Sequence, residues 1–270
     1  MNRYQTLNVA GYEEVVRCDN GEAGFAAWIA IHNTNRGPAL GGCRVWNYGS
    51  DDEAFFDVLR LSRGMTYKNS LARLPLGGGK CVVRVDLGQV DRAHLFKSVG
   101  EFVDTLGGRY ITAEDVNSTV EDMAHVQRST AHVATVGASG NPSPFTAYGV
   151  YCAIKAGILY TRSRKNLAGL RVAIQGVGET GARLARLLAS AGCTVVAADI
   201  SQERLNRLRS QVDAQVIDPA DIHRCRCDIF SPCAMGGTLN HKTIPELRCA
   251  LVAGSANNQL LNPSDGHLLD

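Results

Sequence analysis

RVAIQGVGETG, residues 171–181, decides the fold of the second half of the chain. Its first five residues suit a strand, and GARLARLLAS, continuing from Gly181, has helical spacing. Between them Gly176-Val177-Gly178-Glu179-Thr180-Gly181 is a complete GxGxxG. In that pattern Gly176 permits the tight turn, Gly178 lets a pyrophosphate approach the backbone, and Gly181 lets helix and strand pack closely. Free N–H groups at the helix start then favour phosphate. A structural strand–helix turn without ligand gives the same glycines. The next apolar run, CTVVAA (193–198), ends in Asp199, which weighs towards the dinucleotide. A carboxylate there accepts from ribose hydroxyls and repels a 2′-phosphate, favouring NAD over NADP; Arg204, close in sequence, moderates that preference.

Working outward, a helix from Gln202, then CDIF (227–230) and CALVAG (249–254), continue the alternation of strand and helix that implies a parallel sheet. Upstream, SGNPSP (139–144) marks a domain boundary, with Ser143 as N-cap and Pro144 opening a helix to about Leu159. The division is 1–138 and 139–270. The first part reads as mixed α and β. FAAWIAIH (25–32) is a strand, and Ser50 or Asp51 caps a helix carrying Ala54, Val58, Leu61 and Met65 on one face. PLGGGK (75–80) is a glycine run before the strand CVVRV (81–85), and Ala93–Leu106 is a helix stopped by Gly107-Gly108. Tyr110–Thr112 is a short strand, and Ser118 with Glu121 makes a capping box for the helix after it.

A chain of 270 residues can hold two domains, and a net charge of +2 argues against a nucleic-acid or membrane-surface partner. No apolar run reaches the ~18–20 residues that cross a bilayer, and the N-terminus lacks a secretory pattern, so a soluble, cytoplasmic protein is expected. Nine cysteines, an odd number, read as buried reduced thiols. The tightest cluster, Cys225, Cys227 and Cys233 with His223, lacks paired CxxC spacing, so no metal is expected.

Two lysines stand in unusual company: Lys68 in GMTYKN and Lys80 in PLGGGK. Most lysines are solvated surface charges. Among glycines and apolar residues, however, a lysine can lose its proton near neutrality and act as a base, and Asp115 is a candidate partner.

GPALGGCR (37–44), LRLSRGMTYKN (59–69), PLGGGK, YITAEDV (110–116), GNPSPFTAYGV (140–150), FSPCAMGG (230–237) and GSANNQL (254–260) together resemble the leucine, phenylalanine and valine dehydrogenases, relatives of glutamate dehydrogenase. The resemblance runs in order over most of the chain. It implies an α/β protein: an N-terminal substrate-binding and oligomerisation domain, a C-terminal Rossmann domain, and an active site in the cleft between them. It further implies that Lys68 holds the substrate carboxylate, that Lys80 activates the water attacking an imine, and that Asp115 shuttles a proton to and from the amino group. The Cα hydride goes to NAD, and the imine hydrolyses to a 2-oxo acid and ammonia. Thr146, Ala234, Asn257 and Asn258 would join Gly176, Gly178, Gly181 and Asp199 around the cofactor. Thr146 also fits a first-turn hydroxyl bonding its own backbone, and the asparagines fit ordinary turn chemistry.

Leu40, Gly41 and Ala113 stand where leucine-type relatives line the substrate pocket, which suits a branched aliphatic side chain. One methylene is worth only about 1–3 kcal/mol, so leucine, isoleucine and valine are all expected substrates. Leu40 and Ala113 also fit plain core positions. A homo-oligomer is implied. Family chains continue well beyond GSANNQL, so the second domain is expected to be incomplete at its C-terminus. Glu179, where relatives often carry asparagine, sets a carboxylate near the pyrophosphate. Two rivals remain: a dehydrogenase for phenylalanine, tryptophan or another amino acid, and a chain that binds NAD without turnover.

Overall fold

The computed structural model describes residues 1–86, 88, 90–134 and 142–269, and the chain divides into two units, Met1–Gly140 and Asn141–Asp270. The first unit holds strands β1 (Arg3–Leu7), β2 (Glu14–Asn20), β3 (Phe25–Asn33), β4 (Ala39–Trp46), β5 (Gly77–Val85) and β6 (Tyr110–Glu114). Its helices are α1 (Asp51–Leu71), α2 (Arg92–Asp104) and α3 (Val120–Gln127). The sheet order is β1-β2-β3-β5-β4-β6. β5 runs antiparallel to β3 and parallel to β4, and β4 runs parallel to β6. Strand alternation gives this sheet two buried faces. On one, Val15, Trp28, Ala30 and Val82 pack with Ala54, Val58 and Leu61 of α1. On the other, Ile29, Cys43, Cys81 and Val83 pack with Leu95, Val99 and Phe102 of α2 and Met123 and Val126 of α3.

Several elements differ from the reading of the sequence. The glycine run does not precede the strand but opens it, since β5 begins at Gly77. The N-terminal hairpin β1–β2 and strand β4 carried no clear sequence signal. The cap of α3 is Thr119, in a reciprocal box with Asp122, not Ser118 with Glu121. Ser118 is engaged elsewhere: its hydroxyl donates to the Cys43 carbonyl at 2.7 Å.

The second unit holds α4 (Ser143–Arg162), β7 (Arg171–Gln175), α5 (Glu179–Ser190), β8 (Thr194–Ala198), α6 (Gln202–Arg209), β9 (Ala214–Val216), β10 (Ile229–Pro232) and β11 (Leu251–Val252). Its strands are parallel in the order β11-β10-β7-β8-β9. Numbered within this unit the order is 5-4-1-2-3, that of the Rossmann sheet as far as its fifth strand. Pro142 rather than Ser143 is the N-cap of α4, with no side-chain cap, and the helix runs on to Arg162. The expected boundary segment SGNPSP lies partly outside the described residues, which omit Ser139, Gly140 and Asn141. Cys18, Cys43 and Cys81 are buried, but Cys152 is exposed and the other five are half-buried, so burial of the thiols holds only in the first unit. Among the described residues no helix is long and apolar enough to cross a membrane.

Candidate active site

Parallel pairing of β4 with β5 and β6 sets Leu40 beside Gly78 and Ile111, and Gly42 beside Ala113. Alternation then turns Leu40, Gly42 and Arg44 of β4, Gly78 and Lys80 of β5, and Ala113 of β6 to one face. This is the face that α1 covers. A Cβ on Gly78 would lie 2.1 Å from the Thr66 backbone nitrogen, so only glycine lets the helix backbone rest on the strand. Asn69 of α1 ties the contact by donating to the Gly77 carbonyl at 2.5 Å.

Beneath this cover Lys80 is 3% exposed. Its Nζ lies 2.8 Å from Oδ2 of Asp115, one residue past β6. The same oxygen accepts from Arg44 Nε at 3.1 Å. Arg44, 4% exposed, reaches Asp57 Oδ2 of α1 through Nη1 at 2.9 Å. Tyr48 donates its hydroxyl to that Asp57 oxygen at 2.7 Å. The Asp115 backbone N–H donates to Ser118 Oγ at 2.8 Å, which fixes the turn bearing the carboxylate.

Burial pushes the Lys80 ammonium below the ordinary lysine range; Asp115 opposes the shift, while the Arg44 and Lys68 charges reinforce it. For Asp115 burial alone would raise the pKa, but Lys80 and Arg44 outweigh it and hold the carboxyl well below the usual carboxylate range. Arg44 meets the same contest: burial favours proton loss, and Asp115 and Asp57 keep the guanidinium charged. The arrangement is an ionised carboxylate against a lysine biased towards its free base. That is the equipment of a proton-transfer site.

Lys68, in the last turn of α1, is exposed. Leu40 and Ala113 are half-buried on the Lys80 face. Gly41 is buried for a packing reason, since a Cβ there would meet the Gly79 carbonyl oxygen at 1.8 Å. Its carbonyl accepts from the Tyr110 hydroxyl at 2.5 Å. The sequence reading did not single out Arg44, Asp57, Tyr48 or Gly42. The available signal was an arginine at an inward-facing position of the apolar run GGCRVW, with an acid beside the apolar stripe of α1.

In the second unit the three glycines have separate physical reasons. Gly176 has φ +88° and lies against Ala234, whose Cα would be 2.9 Å from an added Cβ. A Cβ on Gly181 would meet the Gly176 carbonyl oxygen at 2.0 Å, whereas one on Gly178 would meet nothing within 4 Å. The N-cap of α5 is thus open in front, as a pyrophosphate requires. Asp199 is 9% exposed, and its carboxylate accepts from the N–H groups of Val177 and Ser201, each at 2.8 Å. Arg204 Nη1 stands 3.8 Å from it. An added Cβ on Gly236 would meet the carbonyl oxygens of Asn257 and Asn258, so the CAMGG and GSANN turns are packed together. Gly176, Ala234 and these asparagines therefore gather beyond the carboxyl ends of β7, β10 and β11, where the strand order reverses and such sheets bind ligands. Thr146 lies in the first turn of α4 and donates its hydroxyl to the Pro142 carbonyl at 3.2 Å. Glu179 pairs with Arg183 at 3.0 Å.

A Rossmann sheet with an open glycine turn, in one chain with a buried lysine–carboxylate pair, defines a class: a protein with a dinucleotide-type fold and a site equipped for proton transfer. The comparisons narrow it. A family model described as "Glu/Leu/Phe/Val dehydrogenase, dimerisation domain" matches residues 8–132. Leucine dehydrogenase of Geobacillus stearothermophilus is 45% identical over 100% of this chain and 74% of its own length. Phenylalanine dehydrogenase of Thermoactinomyces intermedius is 43% identical over 98% of this chain and 74% of its own. The crystal structure of L-tryptophan dehydrogenase from Nostoc punctiforme aligns with a TM-score of 0.70 and 38% identity, over 96% of this chain and 75% of that one. The chain belongs to the Glu/Leu/Phe/Val dehydrogenase family, the NAD-dependent dehydrogenases of amino acids.

Proposed function

We propose that the chain oxidatively deaminates branched-chain L-amino acids, namely leucine, isoleucine and valine, to their 2-oxo acids and ammonia. The observation that carries this reading is the 2.8 Å contact between Lys80 and Asp115 beneath α1, with the lysine biased towards its free base. Lys80 takes a proton from the water that attacks the substrate imine, and Asp115 moves a proton to and from the substrate nitrogen. Lys68 holds the substrate carboxylate by charge-assisted hydrogen bonds. Gly176, Gly178, Gly181 and Asp199 hold NAD, with Thr146, Ala234, Asn257 and Asn258 towards its nicotinamide end. When bound, NAD supplies the acceptor for the hydride leaving Cα.

The choice of substrate rests on Leu40 and Ala113, which share the Lys80 face beside the side-chain-free Gly42. A leucine and an alanine make an apolar floor for a branched chain and offer no polar group to a charged one. Relatives named for leucine, phenylalanine and tryptophan are 45%, 43% and 40% identical to this chain, which keeps an aromatic substrate as the second reading. The test is a panel of L-amino acids with NAD, following NADH absorbance. Highest kcat/KM on the branched aliphatic set supports the proposal, and highest kcat/KM on phenylalanine or tryptophan overturns the assignment of substrate. Turnover of none, with NAD still bound, overturns the catalytic reading for the chain. We also propose a homo-oligomer assembled through the first unit, following the dimerisation role in the name of the matching family model.

A further inference from the structure

The network behind Lys80 is larger than a lysine–carboxylate pair needs. Arg44 and Lys80 rise from neighbouring strands of the sheet and both end on Asp115 Oδ2. Two buried cations on one carboxylate oxygen are costly unless a second anion supports one of them. Asp57 does so from α1, and Tyr48 fixes Asp57 in turn. Gly42 lies between Arg44 and Leu40 on the same face of β4, where a Cβ would meet the Asp115 Cβ at 2.7 Å and the Glu114 carbonyl oxygen at 2.6 Å. An absent side chain is thus what lets the carboxylate lean across β4 towards Lys80.

We propose that Arg44 is a positioning residue for proton transfer: anchored by Asp57 and Tyr48, its guanidinium pins Asp115 Oδ2 where Lys80 Nζ meets it and keeps a permanent positive charge behind the pair. This rests on the reading of Lys80 and Asp115 as the reacting groups. Arg44 touches neither substrate nor cofactor in this assignment; it acts through Asp115. The charged and titratable groups bearing on the pair are Asp115, Arg44 and Lys68 around Lys80, Tyr110 and Cys81 from the opposite face of the sheet, and Asp57 with Tyr48 and Arg60 behind Arg44. Of these, Arg44 is the buried cation that cannot lose its charge at working pH.

The signs separate this role from a structural one. Removing the guanidinium charge removes a repulsion on the Lys80 ammonium, so the lysine holds its proton to higher pH. Removing the Asp57 carboxylate leaves Arg44 uncompensated, so Lys80 releases its proton at lower pH. The experiment compares Arg44→Gln, Arg44→Lys and Asp57→Asn in the full chain by two readouts. One is the pH profile of kcat/KM with L-leucine and NAD. The other is the titration of the Lys80 amine by NMR after selective lysine labelling, assigned with Lys80→Arg, which needs no turnover.

Expected for Arg44→Gln is an upward move of about one unit in both readouts, a loss of about tenfold in free-base Lys80 below its pKa. Arg44→Lys restores most of the wild-type position, and Asp57→Asn moves both readouts the opposite way. If Arg44→Gln does not fold, the Asp57→Asn shift alone decides by its sign. A Lys80 titration unmoved in the folded variants, or moved in one direction by all of them, overturns the proposal. A wild-type chain without turnover on any amino acid sinks the functional reading instead, while the NMR titration still tests Arg44.

Discussion

Asp115→Asn keeps the size of the side chain and removes its charge, leaving Lys80 and Arg44 buried at 3% and 4% exposure with one anion fewer between them. Breaking a buried pair in this way costs about 3–5 kcal/mol. Lys80 can limit its share by shedding its proton, which for a lysine of ordinary pKa costs about 4.6 kcal/mol at pH ~7 and about 1.9 kcal/mol at pH ~9. The loss at neutrality should therefore be about 3–4 kcal/mol and shrink to about 2 kcal/mol by pH ~9. A lysine whose folded pKa lies below its unfolded value leaves the unfolded chain with more protons in the interval between the two. Stability thus rises with pH there, and the interval is wider in the variant. On the acid side the Asp115 contribution is complete above its unfolded pKa of about 3.9 and is lost as pH falls through its depressed folded value, a loss the variant no longer has to suffer. The gap between the two proteins should accordingly narrow in both directions from neutrality. Trp28 and Trp46 both lie in the first unit, so tryptophan fluorescence during urea unfolding reports the unit that carries the change. An offset independent of pH, or one below about 1 kcal/mol at neutrality, would refute the account of Lys80 as a buried cation held by Asp115.

Gly42→Ala places a methyl 2.7 Å from the Asp115 Cβ and parts the carboxylate from Lys80, so kcat should fall at least tenfold with the KM for NAD unchanged; steady-state kinetics decides. Gly78→Ala forces the α1 backbone at Thr66 away from β5, at about 1–3 kcal/mol, and urea midpoints read by tryptophan fluorescence test it. Asp199→Asn should weaken NAD and narrow its advantage over NADP, read as the ratio of kcat/KM for the two cofactors. The Cys249 thiol, pulled down by its hydrogen bond with Cys227 against the raising effect of burial, should alkylate more slowly in Cys227→Ser, read by mass spectrometry of iodoacetamide-treated protein.

The Rossmann half was legible because its signals are local. RVAIQ, the glycine turn and the helix from Glu179 occupy adjacent residues, and β7 and α5 start where the pattern places them. The first half was less legible because its sheet joins strands that are far apart in sequence. β4 carried no clear signal, since Gly41 and Gly42 interrupt its apolar pattern and their reason shows only in their neighbours on β5 and β6. The glycine run before Lys80 misled for the same reason: glycine weakens an isolated strand, yet here it answers the close approach of α1, Tyr110 and Asn33. Lys80 and Asp115 could be suspected from their company and from the family resemblance. Arg44 could not, because a strand arginine shows its partners only once α1 and the turn after β6 are folded around it.

These observations tie the chemistry to packing. A lysine gives up its proton more readily where water is kept from the ammonium, and a flexible four-carbon stem escapes any loose cover. β5 meets this need with a strand bare enough at Gly78 for the α1 backbone at Thr66 to lie against it, two residues from Lys80 on the same face. The carboxylate that keeps the remaining charge tolerable must then arrive from the side, across a strand that has given up its own side chain at Gly42. Proton affinity at Lys80 is thereby a function of how closely α1 sits on β5. Gly78→Ala should for that reason do more than destabilise: as α1 lifts, water returns to the ammonium, the lysine holds its proton to higher pH, and the acid limb of the pH–rate profile moves upward. Loss of stability with an unmoved limb would show that burial by α1 does not set the base.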